Sequence, residues 1–191
     1  MAPSLTGKTS GFTLTELMVA MAISMAVLAA VTTTFMTQAK IYNAQEQINE
    51  MEQNARGALD VITRELKMAG YKPNGGTFVG ITYSASQLRI QADLVGNDGL
   101  TTGANEDIIY SHDDSNDQIV RNGAVLADHI TAFTFSYLDS AGASTSVSAN
   151  IRQVSISITA QTAHPDPNYT ANNGYRTYSV TATVTPPNLA L

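Results

Sequence analysis

The chain has 191 residues, 43% of them apolar and 14% charged, so it can fill the core of one modest domain and is not intrinsically disordered. Sixteen acidic and ten basic side chains give a formal net charge of −6, which leaves no basic field large enough for nucleic-acid binding as the main role. The absence of cysteine excludes disulfides and thiolate metal sites.

A long uncharged segment follows a short N-terminal leader. No formal charge occurs from Leu17 to Ala39, and the stretch from Leu17 to Met36 would form a helix of about 30 Å, the hydrocarbon thickness of a bilayer. Lys8 and the start amine favour a cytoplasmic N-terminus, with the rest of the chain outside. An ordinary signal peptide has a shorter apolar core, of about 7 to 15 residues; signal-peptidase cleavage and an uncleaved anchor are the alternatives to a specialised precursor.

The sequence GFTLTEL, residues 11–17, places a carboxylate at the head of this segment. A charged side chain there is unfavourable without a partner, so Glu16 requires an explanation. The sequence resembles the type IV prepilin signature, although Thr15 replaces the aliphatic residue that is commonest before the Glu. The resemblance implies a peptidase cut after Gly11, N-methylation of Phe12, and a need for Glu16 in assembly. Cleavage creates an ammonium on Phe12, which Glu16 of a neighbouring subunit can neutralise in an apolar environment.

The helix is expected to continue well beyond the apolar segment. No Gly or Pro occurs from Phe12 to Arg56, and the β-branched run Thr32-Thr33-Thr34 is its weakest point. Apolar residues then recur at spacings of three and four, which is typical of one buried helix face. They are Ile41, Ala44, Ile48, Met51, Ala55, Leu59, Ile62 and Leu66. Because Gly70 and Pro73 end the pattern, we predict one helix of about 55 residues.

The rest of the chain has the alternation and β-branched content of strands. Eight are predicted: Thr77 to Tyr83, Gln87 to Leu94, Asp107 to Ser111, Gln118 to Arg121, Val125 to Asp128, Ala132 to Leu138, Ile151 to Thr162 and Tyr175 to Thr185. Asn122-Gly123 predicts a hairpin turn, and the stretch 165–174 predicts a loop before the last strand. One apolar face of the seventh strand should pack on the helix stripe; it comprises Ile151, Val154, Ile156 and Ile158.

These elements predict an α+β roll in which a long N-terminal helix packs on an antiparallel β-sheet, and the prepilin resemblance implies that this is a type IV pilin-like roll. Residues 1–11 would be the leader, and residues 12–40 the half of the helix that crosses the membrane and forms the filament core. Residues 41–191 would be the globular domain, with an amphipathic helix half at 41–70 and a sheet domain at 71–191.

Later segments carry a narrower resemblance, to PilW-type minor pilins. They are QNARGALD at 53–60, ELKMAGY at 65–71, EDIIY at 106–110, RNG at 121–123, AFTFSY at 132–137 and RQVSI at 152–156. The resemblance implies a low-copy subunit at pilus initiation or the tip, first in the bacterial inner membrane as a single-pass precursor and then in the filament at the cell surface. Its implied partners are other major and minor pilins, a prepilin peptidase and an inner-membrane assembly platform. The alternatives are a J-type pseudopilin of a type II secretion system and a tip adhesin module.

Signatures of catalysis are weak in this sequence. Gly7-Lys8-Thr9 is similar to the end of a phosphate-binding loop, but Ala2 replaces its first glycine and no strand precedes it. His112, His129 and His164 lie far apart, and neither HExxH nor GxSxG occurs. We therefore expect no enzyme and no cofactor, and surface or loop positions for the histidines.

One acidic stretch raises the alternative of calcium binding. Seven acids occur within 25 residues without an intervening Lys or Arg: Asp93, Asp98, Glu106, Asp107, Asp113, Asp114 and Asp117. Such oxygen density suits Ca²⁺, yet an EF-hand register from Asp93 puts Val95 at the third position and Asp98 where glycine is needed. A solvated acidic loop is the favoured interpretation.

The first testable prediction concerns the mature N-terminus. We expect the chain in membranes or filaments to begin at N-methylated Phe12, because the leader ends in Gly11 and the apolar run starts too early for ordinary signal cleavage. Mass spectrometry of the N-terminal peptide checks this. Retention of Met1 in assembled protein, or a start downstream of Met36, would contradict it.

Overall fold

The computed structural model describes residues 11–96 and 98–189, and its longest element is one helix, α1, Leu14–Met68, of 55 residues. The predicted continuous helix is therefore confirmed in both length and position. Residues 1–10, which hold most of the leader and the GKT sequence, lie outside the described residues. The chain divides into two compact units, Met1–Gln45 and Glu46–Leu191.

The first unit carries the apolar part of α1. Among the described residues, one helix is long and apolar enough to cross a membrane, with a mean hydropathy of 2.1 over its best 18-residue window, none of it buried. The hydroxyls of Ser24, Thr32 and Thr34 donate to carbonyl oxygens four residues earlier, at 2.8, 2.8 and 2.9 Å. These bonds satisfy the hydroxyls within the helix itself. The threonine run, expected to be the weakest point, is thus continuous helix.

The second unit contains eight strands in two antiparallel sheets. They are β1 Ile81–Thr82, β2 Gln87–Gln91, β3 Asp107–Asp113, β4 Gln118–Arg121, β5 Ala124–Ala127, β6 Ile130–Leu138, β7 Gln153–Gln161 and β8 Thr177–Val184. Strands β1 to β5 form one sheet in sequence order, and β6, β7 and β8 form the other. The α+β class and the antiparallel pairing are confirmed, but the single sheet that the sequence predicted is divided into two.

The division between the sheets follows a turn at the end of β5. His129 has a φ of 56°, a left-handed conformation that redirects the chain before β6 begins at Ile130. The His129 carbonyl then accepts the Gln161 N–H at 2.8 Å, which aligns β6 with β7. The chain therefore starts a new ladder with β7 instead of extending β5.

Two strands are shorter than predicted because the chain turns to the end of α1. A side chain on Gly80 would collide with the Gly70 backbone, so the stretch before Ile81 passes against the helix end and β1 keeps only two residues. Strand β2 stops at Gln91, whose carbonyl accepts the Gly70 N–H at 2.9 Å. Asp93 N–H likewise donates to the Tyr71 carbonyl at 2.8 Å.

The predicted hairpin turn joins β4 and β5. Asn122 and Gly123 have φ values of 48° and 84°, the positive φ at both central positions that a type I′ turn requires. The Asn122 side chain also accepts the Ile109 N–H at 2.7 Å, which ties the turn to β3. The loop predicted before the last strand is present as well, and includes a short 3-10 helix at Ala171–Gly174.

The core lies between the second part of α1 and the sheets. Strand β7 alternates strictly, so Val154, Ile156 and Ile158 are all buried on one face, and Ile151 is buried just before the strand. The helix contributes Met51, Ala55, Ala58, Ile62 and Leu66, with Ile48 and Leu59 partly buried beside them. The predicted stripe is confirmed from Ile48 onward, whereas Ile41 is exposed.

A partly buried polar cluster connects α1 to the five-stranded sheet. Glu65 of α1 accepts a hydrogen bond from the Tyr110 hydroxyl of β3 and pairs with the Arg121 guanidinium of β4, with an Nη2 to Oε1 distance of 2.7 Å. Burial, and secondly the Glu65 carboxylate, raises the pKa of Tyr110, so the phenol stays protonated as a donor. The cluster fixes the rotation of the helix on the sheet.

We predict that the second unit folds as a separate fragment. A chain starting at Tyr42 should be a soluble, folded monomer, because it keeps the stripe from Ile48 to Leu66 that covers the sheets and loses mainly the exposed apolar helix. Circular dichroism and sedimentation check this. If the fragment were unfolded although its ends are intact, the proposed division of α1 near Tyr42 would be contradicted.

The polar cluster predicts a specific loss of stability. In that fragment, Tyr110→Phe should lower the free energy of unfolding by about 1 to 3 kcal/mol, since the Glu65 carboxylate loses a buried hydrogen bond while the ring packing is kept. Urea unfolding measures the change. Tyr42→Phe, at an exposed ring, is the matched control, and equal stability of the two variants would show that the cluster is energetically neutral.

Candidate functional site at the N-terminus of the long helix

The start of α1 is a reciprocal hydrogen-bonded cap. Thr13 precedes the helix, and its hydroxyl accepts the Glu16 backbone N–H at 3.3 Å. In return, Glu16 Oε2 accepts the Thr13 backbone N–H at 2.9 Å and the Thr13 hydroxyl at 2.7 Å. This arrangement is a capping box, which satisfies two N–H groups that a helix terminus otherwise leaves without partners.

The capping box gives the two carboxylate oxygens of Glu16 different roles. Oε2 takes both bonds from Thr13, whereas Oε1 makes no hydrogen bond to another described residue. The cap thus holds the carboxylate at the first turn of α1, where the helix dipole also favours negative charge. One oxygen fixes the orientation, and the other is free to accept a bond from outside the chain.

The predicted cleavage site lies directly before this cap. Gly11 and Phe12 precede the helix and are exposed, with the Phe12 side chain 91% accessible. Nothing lies within 4 Å of the position that a Gly11 side chain would take. The peptide bond between the two residues is therefore accessible and outside regular structure, which is the geometry that a peptidase requires.

Sequence reasoning missed the intramolecular role of Glu16. It assigned this carboxylate only to a neighbouring subunit, although Thr13 and Glu16 stand at the Thr-x-x-Glu spacing of a capping box. That spacing immediately before an apolar helix was the signal available in the sequence.

Two carboxylates of the acidic stretch, Asp93 and Glu106, are buried, and the described acids of the stretch do not form a shared centre. Glu106 is 1% exposed and accepts the N–H groups of Leu94, Val95 and Gly103 at 2.9, 2.6 and 2.6 Å. These bonds, the one from Val95 first, lower the pKa of Glu106. Glu106 therefore closes the loop as an ionised acceptor and does not project toward solvent.

The other acids have separate local partners. Asp107 pairs with Arg89, Asp114 with His112, and Asp117 with Gln161. Asp93, Asp98 and Asp113 accept backbone N–H groups of Gly99, Leu100 and Ser115. Within residues 11–96 and 98–189, no three acidic, His or Cys side chains come together as a metal site. Because Asp93 and Glu106 are buried, the expectation of a solvated acidic loop is wrong for these two residues.

The histidines lie in different local environments. His112 is on β3 and mostly buried, with Nε2 2.7 Å from the Ile130 carbonyl oxygen and Nδ1 2.6 Å from Asp114, so its expected surface or loop position is wrong. His129 is exposed at the turn before β6, and the His164 backbone N–H donates to the Gln47 side chain at 3.1 Å. Each is held by its own structural contacts.

Comparison with known proteins identifies the N-terminal segment. Residues 7–32 match the family model described as the prokaryotic N-terminal methylation motif, a range that includes Gly11, Phe12 and Glu16. No curated protein matches the chain. Among solved structures, a type IV-like pilin from Thermus thermophilus is similar at 14% identity, over 69% of this chain and 94% of that chain, with a TM-score of 0.47. The chain therefore carries this methylation motif at its N-terminus, at the start of a helix that is long and apolar enough to cross a membrane.

The capping box predicts a local effect of Thr13. In the full chain in detergent micelles, Thr13→Ala should speed amide hydrogen exchange at Glu16 and Leu17 about fivefold, because the cap loses the hydroxyl that accepts the Glu16 N–H. Thr13→Ser keeps the hydroxyl and should restore slow exchange. Identical exchange in the Ala and Ser variants, measured by NMR, would contradict the role of the cap.

Proposed function

We propose that this chain is a structural minor pilin of a type IV pilus, cut after Gly11, methylated at Phe12 and assembled through α1 at pilus initiation or at the tip. The observation that carries the proposal is the methylation motif over residues 7–32, combined with a cap that presents Glu16 at the head of an exposed apolar helix. In this role the protein has no catalytic residue and requires no cofactor.

Processing creates the charge that Glu16 is placed to meet. Hydrolysis of the Gly11–Phe12 peptide leaves a carboxylate on Gly11 and an amine on Phe12, which is protonated at neutral pH. That ammonium stands at the positive end of its own helix dipole, where a cation is unfavourable. A carboxylate from a neighbouring subunit offsets it, and Glu16 Oε1 has no bond of its own to another described residue.

Assembly then follows from the composition of the helix. Its side chains from Leu17 to Met36 are apolar or small, so neighbouring helices can replace lipid as their surroundings. In that environment an unpaired charge is costly, and a subunit inserts favourably where its Glu16 meets an ammonium. The prepilin peptidase, an inner-membrane assembly platform and other pilins are the partners in these steps.

Three of the segments that resemble PilW-type minor pilins contribute side chains to one cluster, and this supports the minor-pilin assignment. Glu65, Tyr110 and Arg121 come from the ELKMAGY, EDIIY and RNG segments that resemble PilW-type proteins, and their side chains form one cluster. A J-type pseudopilin shares the same processing and helix and is the alternative, whereas copy number along the filament distinguishes a minor from a bulk subunit.

Variants of Glu16 test the proposed assembly step. Glu16→Ala and Glu16→Gln should be inserted and cleaved but enter sheared filaments about tenfold less than wild type, because a neighbour's ammonium loses its partner. Glu16→Asp keeps the charge with a shorter reach and should be partly defective. The ratio of processed membrane pool to filament fraction is the measurement.

The cap supplies the control for this experiment. Thr13→Ala loosens the helix start but keeps the carboxylate, so it should assemble better than Glu16→Ala. Normal incorporation of Glu16→Ala would refute the pairing, and a failure of cleavage would place Glu16 in peptidase recognition.

A further inference from the structure

A groove of about 530 Å³ lies beside the C-terminal end of α1, within the second unit. Its lining includes Tyr71, Lys72, Phe78, Val79, Arg152 and Leu189. None of the described residues that line the groove is acidic, although the chain as a whole has six more acidic than basic side chains. Two basic residues, Lys72 and Arg152, belong to this lining.

The two cations of the groove, Lys72 and Arg152, form no ion pair with any of the residues that the structure describes. Five of the six arginines pair with a carboxylate: Arg56, Arg64, Arg89, Arg121 and Arg176. Arg152 is the exception, and Lys72 likewise forms no ion pair with a described residue. In a chain with excess acid, two such cations in one groove call for an acidic group from outside.

The local structure orients these cations without cancelling their charge. Arg152 Nη1 donates to the carbonyl oxygens of Ala149 and Ile151 at 2.8 and 2.9 Å, while Nε and Nη2 make no hydrogen bond to a described residue. The Lys72 ammonium lies 5.7 Å from the centre of the Phe78 ring. The fork of Arg152 thus keeps donors available for a carboxylate.

The walls between the cations are apolar and accessible. Val79 and Tyr71 are 41% and 37% exposed, and the Phe78 ring and Leu189 also line the groove. We propose that this groove binds an acidic peptide segment of a partner protein, with carboxylates on Lys72 and Arg152 and an apolar side chain between them. The charge of the groove selects the acidic segment, and its apolar walls favour a peptide over a small inorganic anion.

This inference is independent of the filament role and is tested by direct binding. The full chain in detergent micelles is titrated against a fluorescein-labelled Glu-Glu-Phe-Glu-Glu peptide, with Gln-Gln-Phe-Gln-Gln as the neutral counterpart. Fluorescence anisotropy should show saturable binding of the acidic peptide alone, weakening as salt is raised. The double variant Lys72→Gln with Arg152→Gln should bind at least about tenfold more weakly, because both charged contacts are lost.

Matched variants separate a specific groove from general attraction to positive charge. Lys67→Gln removes a cation from the last turn of α1 outside the lining and should leave the affinity unchanged. Lys72→Glu reverses an exposed charge without disturbing the Arg152 carbonyl bonds, so its loss of binding is not attributable to unfolding. Equal binding of the neutral peptide, an equal loss in Lys67→Gln, or displacement by inorganic phosphate at the same concentration as the unlabelled peptide would overturn the proposal.

Discussion

The carboxylate of Glu16, at the first turn of α1 and directly before the uncharged stretch from Leu17 to Ala39, is the central constraint on this protein. Glu16 is unfavourable in an apolar environment unless it is bonded, and the capping box meets that need with one oxygen only. The other oxygen has no donor among the described residues, and in the proposed assembly a neighbour's ammonium supplies one.

In the second unit, the amphipathic part of the same helix is held in one orientation on the sheets. Apolar burial along Met51 to Leu66 provides most of the driving force but does not fix rotation, since any apolar face can slide on a sheet. Glu65 specifies the rotation by meeting Tyr110 and Arg121 from two different strands. The loop closed by Glu106 then connects β2 to β3 without extending the sheet.

Local periodicity made most of the fold predictable. The helix length followed from the absence of breakers and the three-four spacing, and the hairpin followed from Asn122-Gly123, whose conformations few other residues adopt. The division into two sheets was not predictable, because it depends on the left-handed turn at His129 and on which distant strand β6 meets. The hydrogen-bond partners of the acidic residues and the groove around Arg152 could not be predicted from the sequence either, since they join segments that are far apart in it.

Contact between Glu16 and a neighbour's N-terminus is the central claim, and zero-length cross-linking of carboxylates to amines tests it most directly. Filaments assembled from isotopically light and heavy subunits would be cross-linked, digested and analysed by mass spectrometry. The account predicts a peptide that joins Glu16 to the N-terminal phenylalanine of a different subunit, including light-to-heavy pairs where both subunits are copies of this chain. Links confined to Glu16 and Phe12 of one and the same chain would contradict it.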